Sequence, residues 1–244
     1  MRAETRPAFY ALDSGGWRDY WTLLHPPYTI WHLSYVALGA AAASAVDWRY
    51  LAASLLAFFL GVGITAHALD ELNGRPLRTR ISDGLLWGMA TVALAGAVGL
   101  GAIGAARISW WLLAFVTFGG FIVVAYNLEL FGGRFHSDAW FALAWGAFPA
   151  LTGGFAQTGT LELGVVLVAA ACATLSAVQR LLSTPVRLLR RRARAVEGRV
   201  RLEGGDELEI DEGILRSVPE AALRGLSVVV PLFAGGLVAT RLIG

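Results

Sequence analysis

Long stretches of this chain carry almost no charge, and that constrains its fold more than any motif. Runs of about 20 apolar residues recur along the 244-residue sequence. A soluble core has no use for segments of that length. A hydrocarbon layer about 30 Å thick needs them, at 1.5 Å of helical rise per residue. Only 16% of residues are charged and 56% are hydrophobic, whereas a soluble domain carries about 25% charged residues. The balance excludes a nucleic-acid-binding domain, a disordered chain and a disulfide-stapled secreted domain. The single cysteine, Cys172, permits no internal disulfide.

The expected architecture is an all-α, polytopic membrane helix bundle of about seven transmembrane helices: Tyr28–Val46, Leu51–Leu69, Leu85–Ala105, Trp110–Leu128, Trp140–Phe155, Leu163–Leu182 and Leu223–Ile243. The whole chain, 1–244, reads as one integral membrane domain. All 20 basic side chains are arginine, and they test the topology. Three of them, Arg49, Arg107 and Arg241, fall on one side of the layer, and the other seventeen fall on the opposite side. Basic residues mark the cytoplasmic side. The expectation is a multi-pass cell-membrane protein with its N-terminus cytoplasmic and its C-terminus outside. Arg2, Glu4, Arg6, Asp13, Arg18 and Asp19 precede any apolar run, so the first run is expected to act as an uncleaved anchor.

Glycine is abundant inside the spans, at Gly96, Gly99, Gly101, Gly104, Gly119 and Gly120. Small residues let helices approach closely in lipid, and the alternative use is a passage for a flexible lipid tail. Trp17, Trp21, Trp31, Trp87, Trp110, Trp111 and Trp140 lie near span ends, as an interfacial belt would place them. Asp13-Ser14 followed by Trp17, Tyr20, Trp21 and Leu24 reads as a capped amphipathic surface helix. Residues 184–222 read as a cytoplasmic interfacial basic helix, then a small hairpin turning at Gly204-Gly205, then a short helix from about Glu212. The run Arg187–Arg194 is expected to anchor on anionic lipid headgroups. A diphosphate is the other anion it could hold.

Ionisable groups at the rim of a membrane bundle are costly and so are functional candidates. His67, Asp70, Glu71, Asn73, Arg75 and Arg78 cluster at the end of the second span. Asp70 and Glu71 could act as catalytic carboxylates and hold Mg²⁺, a hard ion that takes oxygen ligands and bridges to phosphates. Arg75 and Arg78 could bind those phosphates, with His67 and Asn73 beside the substrate. A second cluster follows the fourth span: Tyr126, Asn127 and Arg134 as substrate contacts, Glu129 and His136 as catalytic groups. The same acids and histidines include the residue types of a carboxylate–histidine iron site, but no Glu-x-x-His pair occurs. No Gly-x-Ser-x-Gly suggests a hydrolase.

The stretch Leu24-His-Pro-Pro-Tyr-Thr-Ile-Trp-His-Leu-Ser-Tyr-Val-Ala-Leu-Gly39 resembles the first helix of UbiA-type intramembrane prenyltransferases. Asp70 with Asn73-Gly-Arg75-Pro76-Leu77 resembles the tail of their first aspartate motif. Tyr126 through Gly159 is similar to the fourth and fifth helices of the dihydroxynaphthoate branch. The resemblance implies a helical bundle with a lipid-facing tunnel, a polyprenyl diphosphate substrate held through Mg²⁺, and transfer of the prenyl group to an acceptor. The departures are specific. With Asp70 as the last residue of the first motif, Asn-Asp-x-x-Asp-x-x-x-Asp, its other three positions are Val62, Gly63 and Ala66. The second motif, Asp-x-x-x-Asp, has no match around Gln179-Arg180-Leu-Leu-Ser183. A non-catalytic isoprenoid- or quinone-binding protein, or one that supports a partner, is the competing expectation.

Overall fold

Apolar helix formers dominate the chain, and the computed structural model is helical apart from one hairpin. It describes residues 6–243, with side chains to residue 241, so Arg2 and Glu4 lie outside the described residues. Helix α1 is Trp17–Leu23 and α2 is Pro26–Ala42. Helix α3 is Trp48–Leu72, α4 is Asp83–Arg107 and α5 is Leu112–Asn127. Helix α6 covers residues 138–158 and α7 is Leu163–Arg191. Strands β1 (Gly198–Arg201) and β2 (Glu207–Ile210) follow, then α8 (Glu212–Ile243).

Four helices, α3, α4, α7 and α8, are long and apolar enough to cross a membrane. The chain is therefore a helical membrane protein. Each remaining segment expected to span is also helical, but α2 has only 17 residues and α5 only 16. Val92, Ile103, Leu167, Leu181, Val229 and Leu232 form part of an exposed apolar outer surface, which only lipid can solvate well. Asp47 caps α3 by accepting the Arg49 N–H at 2.8 Å, and Ser137 caps α6 by accepting from Trp140 N at 3.3 Å.

Helix α2 sits at the centre, against α6, α8, α7 and α3. Its contact with α6 is close because both helices present glycine. A Cβ on Gly39 would lie 1.9 Å from the Ala150 carbonyl oxygen, and one on Gly153 would lie 2.2 Å from that of Val36. A Cβ on Gly146 would meet the Cys172 carbonyl of α7 at 2.6 Å. Cys172 is buried in this core, as packing. In the conspicuous set of α4 and α5 a Cβ on Gly101 would meet the Val116 side chain at 2.4 Å and one on Gly104 that of Leu112 at 2.9 Å, so these glycines also serve packing, whereas one on Gly99 would meet nothing within 4 Å.

Several expectations are corrected. Trp31 belongs to no interfacial belt: it is fully buried and donates its indole N–H to the Tyr35 hydroxyl. Asp13-Ser14 does not cap α1, whose N-cap is Gly16; Asp19 instead accepts from Gly15 N at 3.0 Å and Arg80 N at 3.2 Å. The basic segment is no separate helix, because α7 runs unbroken through Pro185 to Arg191. The stretch from Glu212 is likewise continuous with the last apolar run. The hairpin forms as expected, with Arg199 opposite Glu209, Arg201 opposite Glu207, and Gly205 turning at φ 87°.

Two π-helical turns interrupt the regular helices, Phe59–Ala66 in α3 and Ala142–Ala147 in α6. Such turns rotate the following side chains and frequently mark functional positions. Here they immediately precede His67 and contain Trp145.

Candidate functional site

Among α2, α3, α5, α6 and α7, at the end of the bundle that carries most of the arginines, lies a cavity of about 140 Å³. All four histidines of the chain line it: His25, His32, His67 and His136. The π turn of α3 delivers Ala66 and His67 to its wall, and Asp70 follows one turn later. Helix α7 supplies Gln179, Arg180, Arg187 and Arg191. The segment Pro7–Tyr10 closes the outer side, held by Arg190, whose guanidinium donates to the Arg6 carbonyl at 3.2 Å, and by Arg191, which donates to that of Pro7 at 3.3 Å.

The histidines are fixed by local bonds. His32 Nδ1 donates to the Trp145 carbonyl at 2.8 Å, an oxygen within the π turn of α6. His67 Nδ1 bonds the Gly63 carbonyl at 3.1 Å, and His136 Nδ1 bonds that of Tyr126 at 3.0 Å. His25 begins α2 in the left-handed region at φ 47°, an arrangement that costs energy for a non-glycine residue. The Tyr10 hydroxyl and His25 Nδ1 share a hydrogen bond of 2.5 Å. Burial holds the His25 imidazole well below its usual pKa, and the neighbouring His67 adds to this. Burial likewise pushes the Tyr10 phenol well above its ordinary range.

Three cavity-lining groups have buried polar atoms with no hydrogen-bond partner: His25 Nε2, the Tyr126 hydroxyl and Gln179 Oε1. Such atoms are uncommon in a finished protein interior and ask for an explanation.

A second, larger space adjoins the first. A cleft of about 320 Å³ runs between α3, α4, α5 and α6. Its walls are apolar and rich in glycine, with Gly61, Gly101, Gly104, Gly119 and Gly120 along it. Asp47, Arg49 and Arg107 stand at the far end. From Tyr50 to Val62 the cleft follows α3 for about 18 Å at 1.5 Å per residue. Trp145 lines both spaces. Trp145 is thus shared by a polar chamber and an oily one, its ring stacked on Phe141 at 5.9 Å and packed against Tyr126 at 4.4 Å.

Of the residues expected at a site, the cavity gathers His67, Asp70, Tyr126, Asn127 and His136. Glu71 is fully buried but faces elsewhere. Its carboxylate accepts from Leu77 N at 2.9 Å, Thr79 N at 2.8 Å and the Thr79 hydroxyl at 2.9 Å, clamping the loop after α3. Arg75 donates to the Ile81 carbonyl at 2.6 Å and pairs with Asp83. Asn73 donates to the Asn127 carbonyl at 3.2 Å. Arg78, Glu129 and Arg134 are exposed and do not line the cavity, although Glu129 lies 3.8 Å from His136.

The basic run divides as well: Arg187 and Arg191 line the cavity, Arg190 pairs with Glu220, and Arg192 and Arg194 face outward. Sequence reasoning missed His25, His32, Tyr10 and Tyr28 as site residues. Their signal was the clustering of His25, Tyr28 and His32 within eight residues of an otherwise apolar helix.

The donor set does not suit a Mg²⁺ cluster. Mg²⁺ takes octahedral oxygen coordination, commonly through one or two carboxylates and substrate phosphates. Among the described residues Asp70 is the one carboxylate lining the cavity, both Glu71 oxygens are engaged, and three guanidinium groups share the wall. Among the described residues no group of three or more His, Cys, Asp or Glu could hold a metal ion. Comparison with known protein families, curated proteins and solved structures finds no match.

Proposed function

We propose that the protein is a divergent UbiA-like membrane protein that binds an isoprenoid lipid with an anionic, diphosphate-type head. The head occupies the polar cavity and the tail lies in the apolar cleft. The observation that carries this reading is Trp145, which lines both spaces and so brings a charged chamber and an oily one to a single junction. In the membrane, all seven long helical segments span. The cavity faces the cytoplasm, the N-terminus is inside and the C-terminus outside, in accord with the arginine distribution. Exposed Arg192 and Arg194 lie at the anionic headgroups of the inner leaflet.

The reaction this arrangement serves is prenyl transfer. The allylic carbon–oxygen bond breaks, the diphosphate leaves with the electron pair, and an aromatic acceptor carbon takes the prenyl cation. Cations lining the cavity stabilise the departing charge, where electrostatic preorganisation has most effect. His136 takes the proton that the acceptor loses. Its Nδ1–H is committed to the Tyr126 carbonyl, so Nε2 is the accepting atom.

One observation favours a second reading, in which the lipid is held and not cleaved. Among the described residues the chamber has a single carboxylate, Asp70, where a metal-dependent transferase would gather several. Purified protein in nanodiscs, given geranylgeranyl diphosphate and a dihydroxynaphthoate acceptor, separates the readings. Pyrophosphate release that is lost in His136→Ala supports transfer. Saturable binding without release supports the holding protein. Absence of both removes the isoprenoid reading.

A further inference from the structure

We infer that the cavity binds a diphosphate-type anion through arginine side chains alone, without a divalent metal; this rests on the anion-headed lipid reading above. Arg180, Arg187 and Arg191 are spaced by seven and four residues on α7. At 3.6 residues per turn these offsets are close to two turns and one turn, so the three guanidinium groups descend one face of the helix, and all three line the cavity.

Their own pairings leave donors to spare. Arg180 is bound to Asp138 at 2.8 Å, and Arg191 gives its Nε–H to the Pro7 carbonyl. Arg187, half-buried, makes no hydrogen bond or ion pair among the described residues. An unpaired guanidinium at the rim of a membrane bundle is costly. Its planar fork matches two phosphate oxygens at once, which an ammonium cannot do.

The opposite walls add donors. The Tyr126 hydroxyl is buried without a partner, and so is His25 Nε2. With His25 Nδ1 engaged by Tyr10, Nε2 is the ring atom left to meet a ligand. The positions where the resemblance would place the Asn and the other two Asp residues of the first motif hold Val62, Gly63 and Ala66 on α3, and those of the second motif fall among residues 179–183 on α7. Neither set contains a carboxylate.

Asp70 gives the two modes opposite signs. Its side chain makes no hydrogen bond or ion pair among the described residues, and Arg191 and Arg187 are the cations that act on it most strongly. If a metal bridged Asp70 to the phosphates, removing the carboxylate would abolish binding. If arginine binds the anion directly, the carboxylate competes for the same cations, and removing it strengthens binding.

The test is calorimetric titration of the full chain in zwitterionic nanodiscs with sodium pyrophosphate and with farnesyl diphosphate, in EDTA and in Mg²⁺. Affinity for both ligands is expected to agree within about threefold between the buffers. Arg187→Gln is expected to weaken both by about tenfold, as loss of charge-assisted hydrogen bonds implies. Asp70→Asn is expected to bind more tightly than the wild type. Binding that disappears in EDTA, or an Asp70→Asn variant that no longer binds, overturns the inference and leaves the lipid reading intact. Pyrophosphate bound as tightly as farnesyl diphosphate in EDTA sustains the arginine site and removes the lipid. No binding in either buffer removes both. Should Arg187→Gln fail to fold, the wild-type buffer comparison and Asp70→Asn decide.

Discussion

The imidazole rings of His25 and His67 lie face to face, their centroids 4.2 Å apart and their planes 14° from parallel. Two imidazolium cations cannot share that geometry. His25 is also enclosed by Tyr10 and Tyr28, with Arg187, Arg191 and His32 adding positive charge around it. Its folded-state pKa is therefore held well below the ordinary 6.5. Above pH about 6.5 the ring is neutral in both folded and unfolded chains, and the site contributes its full stability. As pH falls below that value the unfolded chain takes up a proton that the folded chain refuses. Stability then declines by up to about 1.4 kcal/mol per pH unit for this group. The melting temperature in detergent should drop between pH 7.5 and 5. His25→Asn should melt with a flatter pH profile.

Glu71 is a structural residue. It has no exposure, and its carboxylate satisfies two backbone N–H groups and one hydroxyl in the loop that leads to α4. Truncation leaves those buried donors unpaired at a cost of about 1–3 kcal/mol each. Glu71→Ala should lower the melting temperature sharply, and Glu71→Gln should recover part of the loss. If Glu71→Ala leaves the melting temperature unchanged while ligand binding fails, Glu71 belongs to the site.

The α2–α6 crossing makes a sharper packing prediction. Gly153→Ala would push a methyl to within 2.2 Å of the Val36 carbonyl oxygen, so the helices must separate. Overpacking of this kind typically costs about 1–3 kcal/mol. Gly99→Ala meets nothing within 4 Å and should be neutral or slightly stabilising, because alanine is the better helix former. Thermal unfolding of the two variants under the same conditions checks the contrast.

The sequence pattern makes the solvent legible, because hydrocarbon imposes segment lengths that composition alone reveals. It also locates His67, Asp70, Tyr126, Asn127 and His136, because polar groups at the ends of apolar runs stand out. It does not separate Asp70 from Glu71. The two are adjacent and chemically alike, and only the orientation of each side chain tells which one faces the cavity and which one clamps a loop. Nor does it divide the basic run. Positive charge is expected on that side of the membrane for topological reasons, which masks Arg187 and Arg191 among neighbours that face outward. His25 and His32 were hidden for another reason. His32 sits on a helix read as a span and His25 just before it, and their convergence with His67 depends on how α2 and α3 cross.

One polar chamber and one oily cleft are proposed to serve the same ligand. Gly61 tests this most directly, since it lines the cleft and a Cβ there would meet nothing within 4 Å. Gly61→Leu should occupy space meant for a tail without disturbing the fold or the chamber. The measurement is titration of wild type and Gly61→Leu in nanodiscs with farnesyl diphosphate and with bare pyrophosphate. The variant is expected to lose about tenfold or more in affinity for the prenylated ligand, the equivalent of about 1.4 kcal/mol, and to bind pyrophosphate as before. A variant that binds farnesyl diphosphate as tightly as the wild type, or a wild type indifferent to the prenyl tail, would contradict that shared use.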